Sequence, residues 1–364
     1  MLYEVAMTLI PGIGNVLVKQ LISYAGSAEK LFKMPKGKLM KIPGIGEKLA
    51  TVIISNHQVL KIAEQQIIAA EKTNSEIIFY TSPKYPQRLK NLHDAPVLLF
   101  WQGNTSLNHG RTIGIVGTRS ASEYGKIMTE KIIEDIKHHN PLIISGLAYG
   151  IDIAAHKAAL KNGVETIGIM GNGLQKIYPH LHTKVADQMK TQGGILTEYL
   201  FGVEPAAPHF PNRNRIIAGL SDVLIVVETS SKGGTLITAE LAAAYNKPIL
   251  AVPANVGTKT SEGCLDLLQK RKAFIYTKSS DIEQVTGWLN TGFSVYEKEK
   301  LPPEDLNTEE QKVYDLLQKK TELHIDEIAW QAQIPINQIA SILLSLEFKG
   351  VVKALIGKKF RLET

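Results

Sequence analysis

Short apolar runs separated by helical patterns dominate residues 111 to about 290. The runs are rich in β-branched residues and lack polar alternation, which is typical of strands buried on both faces of a parallel sheet. Segments with apolar positions at helical spacing lie between most of them, so the pattern predicts a doubly wound, mostly parallel α/β sheet. The predicted strands are residues 113–116, 142–144, 165–170, 195–198, 223–227, 249–252 and 274–276.

The first 72 residues contain a repeat, with LIPGIGNVLVKQLI at 9–22 and KIPGIGEKLATVI at 41–53. Each copy predicts a helix, a tight Pro-Gly-Ile-Gly turn and a second helix. This pattern is similar to the helix-hairpin-helix module of DNA-binding proteins, and a small helical bundle that serves only packing is the alternative. Residues 73–110 are predicted to be a connecting extension, with apolar runs at 77–80 and 97–101 that could form an edge of the next domain.

The last part of the chain predicts a third domain at residues 306–364, preceded by a linker at 291–305. Three helical patterns are followed by a segment that alternates around Gly357 as a hairpin, which favours a winged helix. Its third helix would be the DNA reader, yet residues 336–346 contain neither lysine nor arginine. A protein-contacting or packing role is therefore preferred for this helix.

Composition narrows the class of protein. The 364 residues are 44% hydrophobic and 21% charged, with a net charge of +6, which indicates a globular protein with a weak preference for polyanions. Residues 1–72 hold 9 Lys and 5 Glu, whereas residues 306–364 hold 8 residues of each sign. No long apolar run or signal peptide is present, so we expect a cytoplasmic protein without a membrane partner. A single cysteine, Cys264, and histidines without metal spacing predict neither a metal nor a cofactor.

Four turns follow predicted strands and should meet at one rim of the sheet, because the carboxyl ends of parallel strands lie on the same side. GTRSAS carries Arg119, and its Ser120 or Ser122 is placed to cap the next helix. The glycines of SGLAYGID let the backbone approach a ligand, and SSKGGT precedes a helix whose free N–H groups would attract an anion. Arg213 and Arg215 lie close behind Phe210, a combination that can grip a phosphate and stack on a base. The turns are GTRSAS at 117–122, SGLAYGID at 145–152, GNGLQKIYP at 171–179 and SSKGGT at 230–235.

Enzymatic interpretations find little support in these motifs. The full GxGxxG fingerprint and the Walker A spacing are absent, which argues against hydride transfer and a P-loop ATPase. Asp152 and His156 are four residues apart on a predicted helix and could do acid/base work, but a structural pair is favoured. No nucleophile is supported by both a base and an orienting group, so we expect a protein without catalytic residues.

Taken together, the motifs resemble those of the DNA processing protein A (DprA/Smf) family. The matching stretches are IGIVGTR, SGLAYGIDIAAH, GNGLQKIYP, FPNRNRIIAGLSD and GGTLITAELA, within residues 110 to 275. The resemblance implies a Rossmann-like central domain that binds single-stranded DNA and acts in natural transformation. It further implies protection of the incoming strand, its transfer to the RecA recombinase, and a homodimer built through the central domain.

Carried onto this sequence, the resemblance implies phosphate contacts from Arg119, Arg213 and Arg215 in one pocket. Phe210 and Asn214 would be their neighbours, and glycine turns would shape the pocket. The candidate DNA-binding residues are Arg119, Ser120, Gly146, Gly150, Phe210, Arg213, Asn214, Arg215, Lys232, Gly233, Gly234 and Thr235.

Two other functions remain as alternatives. A nucleotide-processing enzyme of the lysine-decarboxylase-like phosphoribohydrolase type is suggested by Gly233, Gly234 and Thr235, which match part of its PGGxGTxxE motif. However, Glu240 lies five residues past the threonine instead of three, which rotates the carboxylate by about 200° around a helix. A double-strand binder led by the two N-terminal hairpins is the third possibility.

Overall fold

The computed structural model describes residues 1–56, 58–288, 306–319, 322–355 and 358–362. The chain forms two compact units, Met1–Trp288 and Leu289–Thr364. The predicted linker at 291–305 and the predicted hairpin centre at Gly357 lie outside the described residues.

Within the described part of the first unit, nine strands form one sheet in the order β1-β2-β6-β5-β4-β3-β7-β8-β9. Neighbouring strands from β6 across to β9 are parallel, whereas β2 is antiparallel to β6 and β1 is antiparallel to β2. The predicted mostly parallel sheet is therefore confirmed, and the connecting region supplies its antiparallel edge. The strands are β1 Glu76–Phe79, β2 Leu98–Gly103, β3 Thr112–Val116, β4 Leu142–Ser145, β5 Thr166–Ile169, β6 Gly193–Thr197, β7 Val223–Val226, β8 Ile249–Ala251 and β9 Phe274–Ile275.

Helices cover both faces of this sheet. Successive residues of a strand point to opposite faces, so Val223 and Ile225 pack in the cluster that contains α8 and α9 residues, while Leu224 and Val226 pack with residues of α11 and α12. This double burial is the reason for the uninterrupted apolar runs. The helices are α7 Gln87–Lys90, α8 Glu123–Ile136, α9 Ile151–Lys161, α10 Thr183–Met189, α11 His209–Leu220, α12 Gly234–Ala244, α13 Glu262–Gln269 and α14 Ser279–Thr286.

Six helices lie in the described part of residues 1–72, and the two Pro-Gly-Ile-Gly turns are similar in backbone geometry. Gly12 and Gly44 have φ of 84° and 81°, a region that favours glycine, and Gly14 and Gly46 are the N-caps of α2 and α5. The segment shares one apolar core with strand residues such as Phe100. The helices are α1 Leu2–Thr8, α2 Asn15–Ala25, α3 Ala28–Phe32, α4 Lys36–Leu39, α5 Glu47–Ser55 and α6 Gln58–Lys72.

The second unit has its own core and its own sheet, in the order β10-β12-β11. Its antiparallel β11–β12 pair confirms the predicted hairpin. The third helix, α17, buries Ile339 and Leu343 and exposes Leu344. No helix in the described ranges of either unit is long and apolar enough to span a membrane. The elements are α15 Thr308–Lys319, β10 Leu323–His324, α16 Ile325–Ala332, α17 Ile336–Phe348, β11 Val352–Leu355 and β12 Lys359–Leu362.

Candidate functional site

A cavity of about 640 Å³ opens at the carboxyl ends of β3 and β7. These strands are neighbours in the sheet, and the chain leaves β3 towards α8 on one face and β7 towards α12 on the other. Such a topological switch point separates the two following loops and creates a crevice for a ligand. The size of the cavity is within the range of ordinary ligand pockets.

All four predicted turns contribute to this cavity. The first supplies Arg119 and its neighbours, the second Ala148, the third Tyr178, and the fourth Ser230 and the start of α12. The structure thus brings together turns that are separated by more than one hundred residues in the sequence. The cavity is lined by Val116, Gly117, Thr118, Arg119, Ala148, Asp152, Tyr178, Pro205, Ala206, Ala207, Phe210, Pro211, Arg213, Asn214, Ile217, Thr229, Ser230, Gly233, Gly234, Thr235, Ile237 and Thr238.

Arg119 is the exposed cation of the cavity, and it lies over an aromatic ring. Its Cζ is 5.4 Å from the centroid of Phe210, whose ring centroid is in turn 5.7 Å from that of Tyr178. Phe210 packs closely on Gly171, where an added Cβ would lie 3.0 Å from the ring. A guanidinium beside two rings can contact a phosphate while a base stacks on the aromatic surface.

The N-terminus of α12 forms the opposite wall. Gly233 is its N-cap, and no described side chain caps the helix. Gly234 and Thr235 line the cavity, so the first-turn N–H groups and the positive end of the helix dipole favour an anion there. Lys232 is exposed and is not among the lining residues.

Two glycines of the second turn lie so close to neighbouring atoms that a side chain would not fit at either position. Gly150 has φ of 79°, and an added Cβ would lie 2.1 Å from the Thr118 carbonyl oxygen. At Gly146 an added Cβ would lie 2.5 Å from Asp152 Oδ2 and 2.6 Å from the Arg213 guanidinium. Neither glycine lines the cavity, so both shape it from behind.

Ser120 does not take part in the cavity or in capping. Its side chain is exposed, and its N–H donates to Thr118 Oγ1 at 3.2 Å. Ser122 is the residue that caps α8, since its Oγ accepts from the Gly125 N–H at 3.1 Å. Of the two serines proposed from the sequence as caps, Ser122 is therefore the one that the structure uses.

The placement of Arg213 corrects the expectation of an exposed phosphate contact. The residue is only 3% exposed, and its Nη1 donates to the carbonyl oxygens of Gly146 and Ile169. Burial lowers the pKa of Arg213 to about 10, against the opposing effect of nearby Asp152. Arg213 therefore connects the ends of β4 and β5 through hydrogen bonds and contributes positive potential at the floor of the cavity.

Arg215 does not belong to this cavity at all, which is a second correction. Its Nη2 donates to Glu198 Oε2 at 2.5 Å, and it lines a separate cavity of about 570 Å³ beside Asn15 and Asn212. Residues two positions apart on a helix are separated by about 200°, so Arg213 and Arg215 on α11 cannot share one face.

The pair proposed for acid/base work is buried in the structure. Asp152 is 7% exposed; burial raises the pKa of its carboxyl, and the Arg213 charge opposes that shift. His156 is fully buried, its Nδ1 lies 2.7 Å from Thr166 Oγ1, and burial lowers its pKa to about 3. Asp152 reaches the cavity wall and His156 does not, which agrees with a structural pair.

The neighbouring histidines His138 and His139 both contact Glu283. His139 is 4% exposed, and its Nε2 lies 2.8 Å from Glu283 Oε1. Its Nδ1 is 3.2 Å from Arg111 Nη1, which can only donate, so Nε2 carries the proton. That protonated nitrogen has no lone pair to offer a metal.

Comparison with known proteins shows to which family the chain belongs. The model described as DNA recombination-mediator protein A matches residues 76–286, which is more than half of the chain. The chain belongs to the DNA processing protein A (DprA/Smf) family. The DprA winged helix domain matches residues 297–358, and the SAM-like helix-hairpin-helix tandem matches residues 5–56.

Relatives of DprA/Smf type support this assignment over most of the chain. Protein Smf of Escherichia coli is 34% identical over 83% of this chain and 81% of its own length. The DprA of Streptococcus pneumoniae is 40% identical over 54% of this chain and 70% of its own length.

Solved structures of the family share the fold. The X-ray structure of Streptococcus pneumoniae DprA has a TM-score of 0.68 and 31% identity, covering 78% of this chain and 97% of that one. A Helicobacter pylori DprA structure has a TM-score of 0.53 and 29% identity, covering 58% and 94%; it is described as showing the single-stranded DNA binding mode of that protein.

Sequence reasoning missed several wall residues. Tyr178 was part of a predicted turn, but its ring was not identified as a partner of Phe210. Thr118, Ser230 and the Pro205 segment were also not singled out, because nothing in their residue types distinguishes them from ordinary loop residues.

Proposed function

We propose that this DprA/Smf protein binds single-stranded DNA in the switch-point cavity. Arg119 would contact a phosphate, the Phe210 and Tyr178 rings would stack on bases, and the first turn of α12 would bind a second phosphate. The single-strand binding described for the Helicobacter pylori relative supports this assignment.

One observation carries the proposal: the exposed Arg119 guanidinium lies 5.4 Å from the Phe210 ring at the mouth of the cavity. A duplex hides its bases in the stack, whereas an unpaired strand can present a base to an aromatic ring and a phosphate to a cation together. The geometry therefore favours single strands over duplexes.

The binding should be independent of sequence and sensitive to salt. Fluorescence anisotropy with oligo-dT, oligo-dC, a mixed sequence and the matching duplex tests this directly. We expect similar affinity for the single strands, weaker duplex binding, and a loss of affinity with salt because each neutralised phosphate releases counterions. Tighter binding to the duplex would instead favour a double-strand binder that uses the N-terminal hairpins.

We also propose that the protein has no chemistry of its own. The phosphoribohydrolase alternative needs a carboxylate beside the glycine turn, but Glu240 is exposed and does not line the cavity. Asp152 does reach the cavity wall, so base release from nucleoside monophosphates should be assayed directly. Release that disappears in an Asp152→Asn variant would establish the enzymatic alternative.

The family to which the chain belongs supports a proposal about its wider role. We propose that the protein protects incoming single strands during natural transformation and loads the RecA recombinase onto them, as a homodimer formed through the central domain. Mass measurement in solution tests the dimer, and a strand-exchange assay with the recombinase tests the loading. A monomer, or recombinase filaments that form at the same rate without this protein, would contradict these parts of the proposal.

A further inference from the structure

We propose that a bound strand continues beyond the switch-point cavity along a lysine-lined track on α8, α9 and α10. The inference rests on the proposed single-strand binding and adds a second, purely electrostatic part to it. The track consists of two adjoining grooves that are both lined by Lys157 and Lys161, with Lys126 added in the first of them.

The two grooves are continuous with each other. The first, of about 400 Å³, lies between α8 and α9 and is lined by all three track lysines. The second, of about 450 Å³, shares Lys157 and Lys161 with the first and extends to Gln188 and Gln192 beside α10. The path follows α9 from Gly150 to Lys161. Because α9 has 11 residues, this path is about 16 Å long.

The track begins where the cavity ends. Gly150 lines the first groove, and its backbone is pressed against Thr118 and Arg119 of the cavity. In the chain, Tyr149 lies between Ala148 of the cavity and Gly150 of the first groove; it is 44% exposed, and its ring is 5.0 Å from that of His182. A strand that leaves Arg119 could therefore stack a base on Tyr149 before its phosphates reach the lysines.

The charges of the track suit a mobile polyanion. Lys157 is exposed and has no ion pair or hydrogen bond among the residues that the structure describes. Lys161 pairs with Glu130, and Lys126 lies 3.4 Å from Glu123, with side-chain exposures of 69% and 54% for the two lysines. Exposed pairs of this kind are worth little, so phosphates can replace the carboxylates. The Glu134 carboxylate also attracts Lys161. Because nearby carboxylates offset part of the lysine charge and lysines contact phosphates only, the track should bind DNA weakly and without sequence preference.

The test compares short and long oligo-dT on the full chain. The track variant combines Lys126→Gln, Lys157→Gln and Lys161→Gln. The control variant combines Lys84→Gln, Lys90→Gln and Lys270→Gln, which removes the same charge from exposed positions outside the track. For an oligomer of about 25 nucleotides, we expect the track variant to lose roughly tenfold in affinity, with a salt slope lower by about 2. For one of about 5 nucleotides, which can cover the cavity but little of the track, we expect a much smaller change.

A Glu130→Gln variant gives an independent result with the opposite sign. It frees Lys161 from its partner, so binding of the long oligomer should tighten while binding of the short one stays the same. Equal losses in the track and control variants, or equal losses for both lengths, would overturn the track. Failure of the unmodified protein to bind either length would instead contradict the proposed function itself.

Discussion

Three arginines of the central domain differ in what their guanidinium groups contact, and this decides their roles. Arg119 is exposed beside Phe210, Arg213 is buried against main-chain carbonyls, and Arg215 is paired with Glu198. The GTR turn and the FPNRNR motif point to these arginines but do not show which atoms their guanidinium groups contact. Their helical phase separates Arg213 from Arg215, and only the start of α11 at His209 fixes that phase.

Replacing Arg213 should cost stability, whereas replacing Arg119 should not. In Arg213→Ala, the carbonyls of Gly146 and Ile169 lose their donor and the buried Asp152 carboxyl loses a nearby positive charge. We expect a decrease of about 3–5 kcal/mol in the free energy of unfolding, measured by urea denaturation. Arg119→Ala should stay within about 0.5 kcal/mol of the parent. Equal stability of both variants would show that Arg213 is not a structural residue.

His156 should make the protein less stable in acid. Burial lowers the pKa of His156 from 6.5 to about 3, so between these pH values the unfolded chain binds a proton that the folded chain does not. The free energy of unfolding should therefore fall as pH decreases below 6.5, by up to about 1.4 kcal/mol per pH unit from this residue. His156→Gln should remove that part of the slope, and His93→Gln, at a side chain 85% exposed, should leave it unchanged. An unaltered slope in His156→Gln would contradict this assignment.

At the scale of elements, the strands were predictable and the packing of their turns was not. Short apolar runs identified all seven parallel strands, and six of them, β3 to β8, are buried, whereas β9 at the sheet edge is exposed. The glycines marked the turns, but the sequence could not show that Gly150 rests on the Thr118 carbonyl. That contact depends on the order of β3, β4 and β7 in the sheet, which is a property of the tertiary fold.

The close approach at Gly150 can be tested against Gly163, a second glycine with positive φ that has open space around it. Gly163 has φ of 71° with no atom within 4 Å of an added Cβ, whereas Gly150 has φ of 79° and a carbonyl oxygen at 2.1 Å. Gly163→Ala should lose about 1 kcal/mol to backbone strain, and the φ of 79° and ψ of −124° at Gly150 are no easier for a side chain to adopt. Gly150→Ala should lose clearly more and should also weaken oligo-dT binding, because the turn that positions Arg119 must move. Indistinguishable thermal midpoints for the two variants would rule out this role of Gly150.

For the whole molecule, the N-terminal helices and the sheet share one core. Val5, Leu21 and Leu31 belong to the same buried cluster as Phe100 and Ile195. The sequence repeat indicated a separate module at residues 1–72 but did not show that its core is continuous with that of the sheet. An apolar pattern shows which positions are buried but not which residues they pack against.

Removing residues 1–72 should therefore damage the central domain. The deletion would expose the apolar surface of β1 and β2, including Phe79 and Phe100, so we expect a lower thermal midpoint and aggregation. Truncation after Trp288 is the control, since the second unit has its own core, and it should leave the first unit's midpoint unchanged. A stable, monodisperse protein without residues 1–72 would contradict the shared core.

The most direct test of the central claim compares Arg119 and Arg215, which the sequence motifs both indicate as phosphate contacts. The dissociation constant for oligo-dT is measured as a function of salt for Arg119→Ala and for a Glu198→Gln, Arg215→Gln double variant, which removes both partners of the ion pair. We predict that Arg119→Ala weakens binding by about 1–3 kcal/mol and lowers the salt slope by about 0.7, while the double variant binds like the parent. Unchanged binding in Arg119→Ala, or a loss confined to the double variant, would contradict a single-strand site in the switch-point cavity.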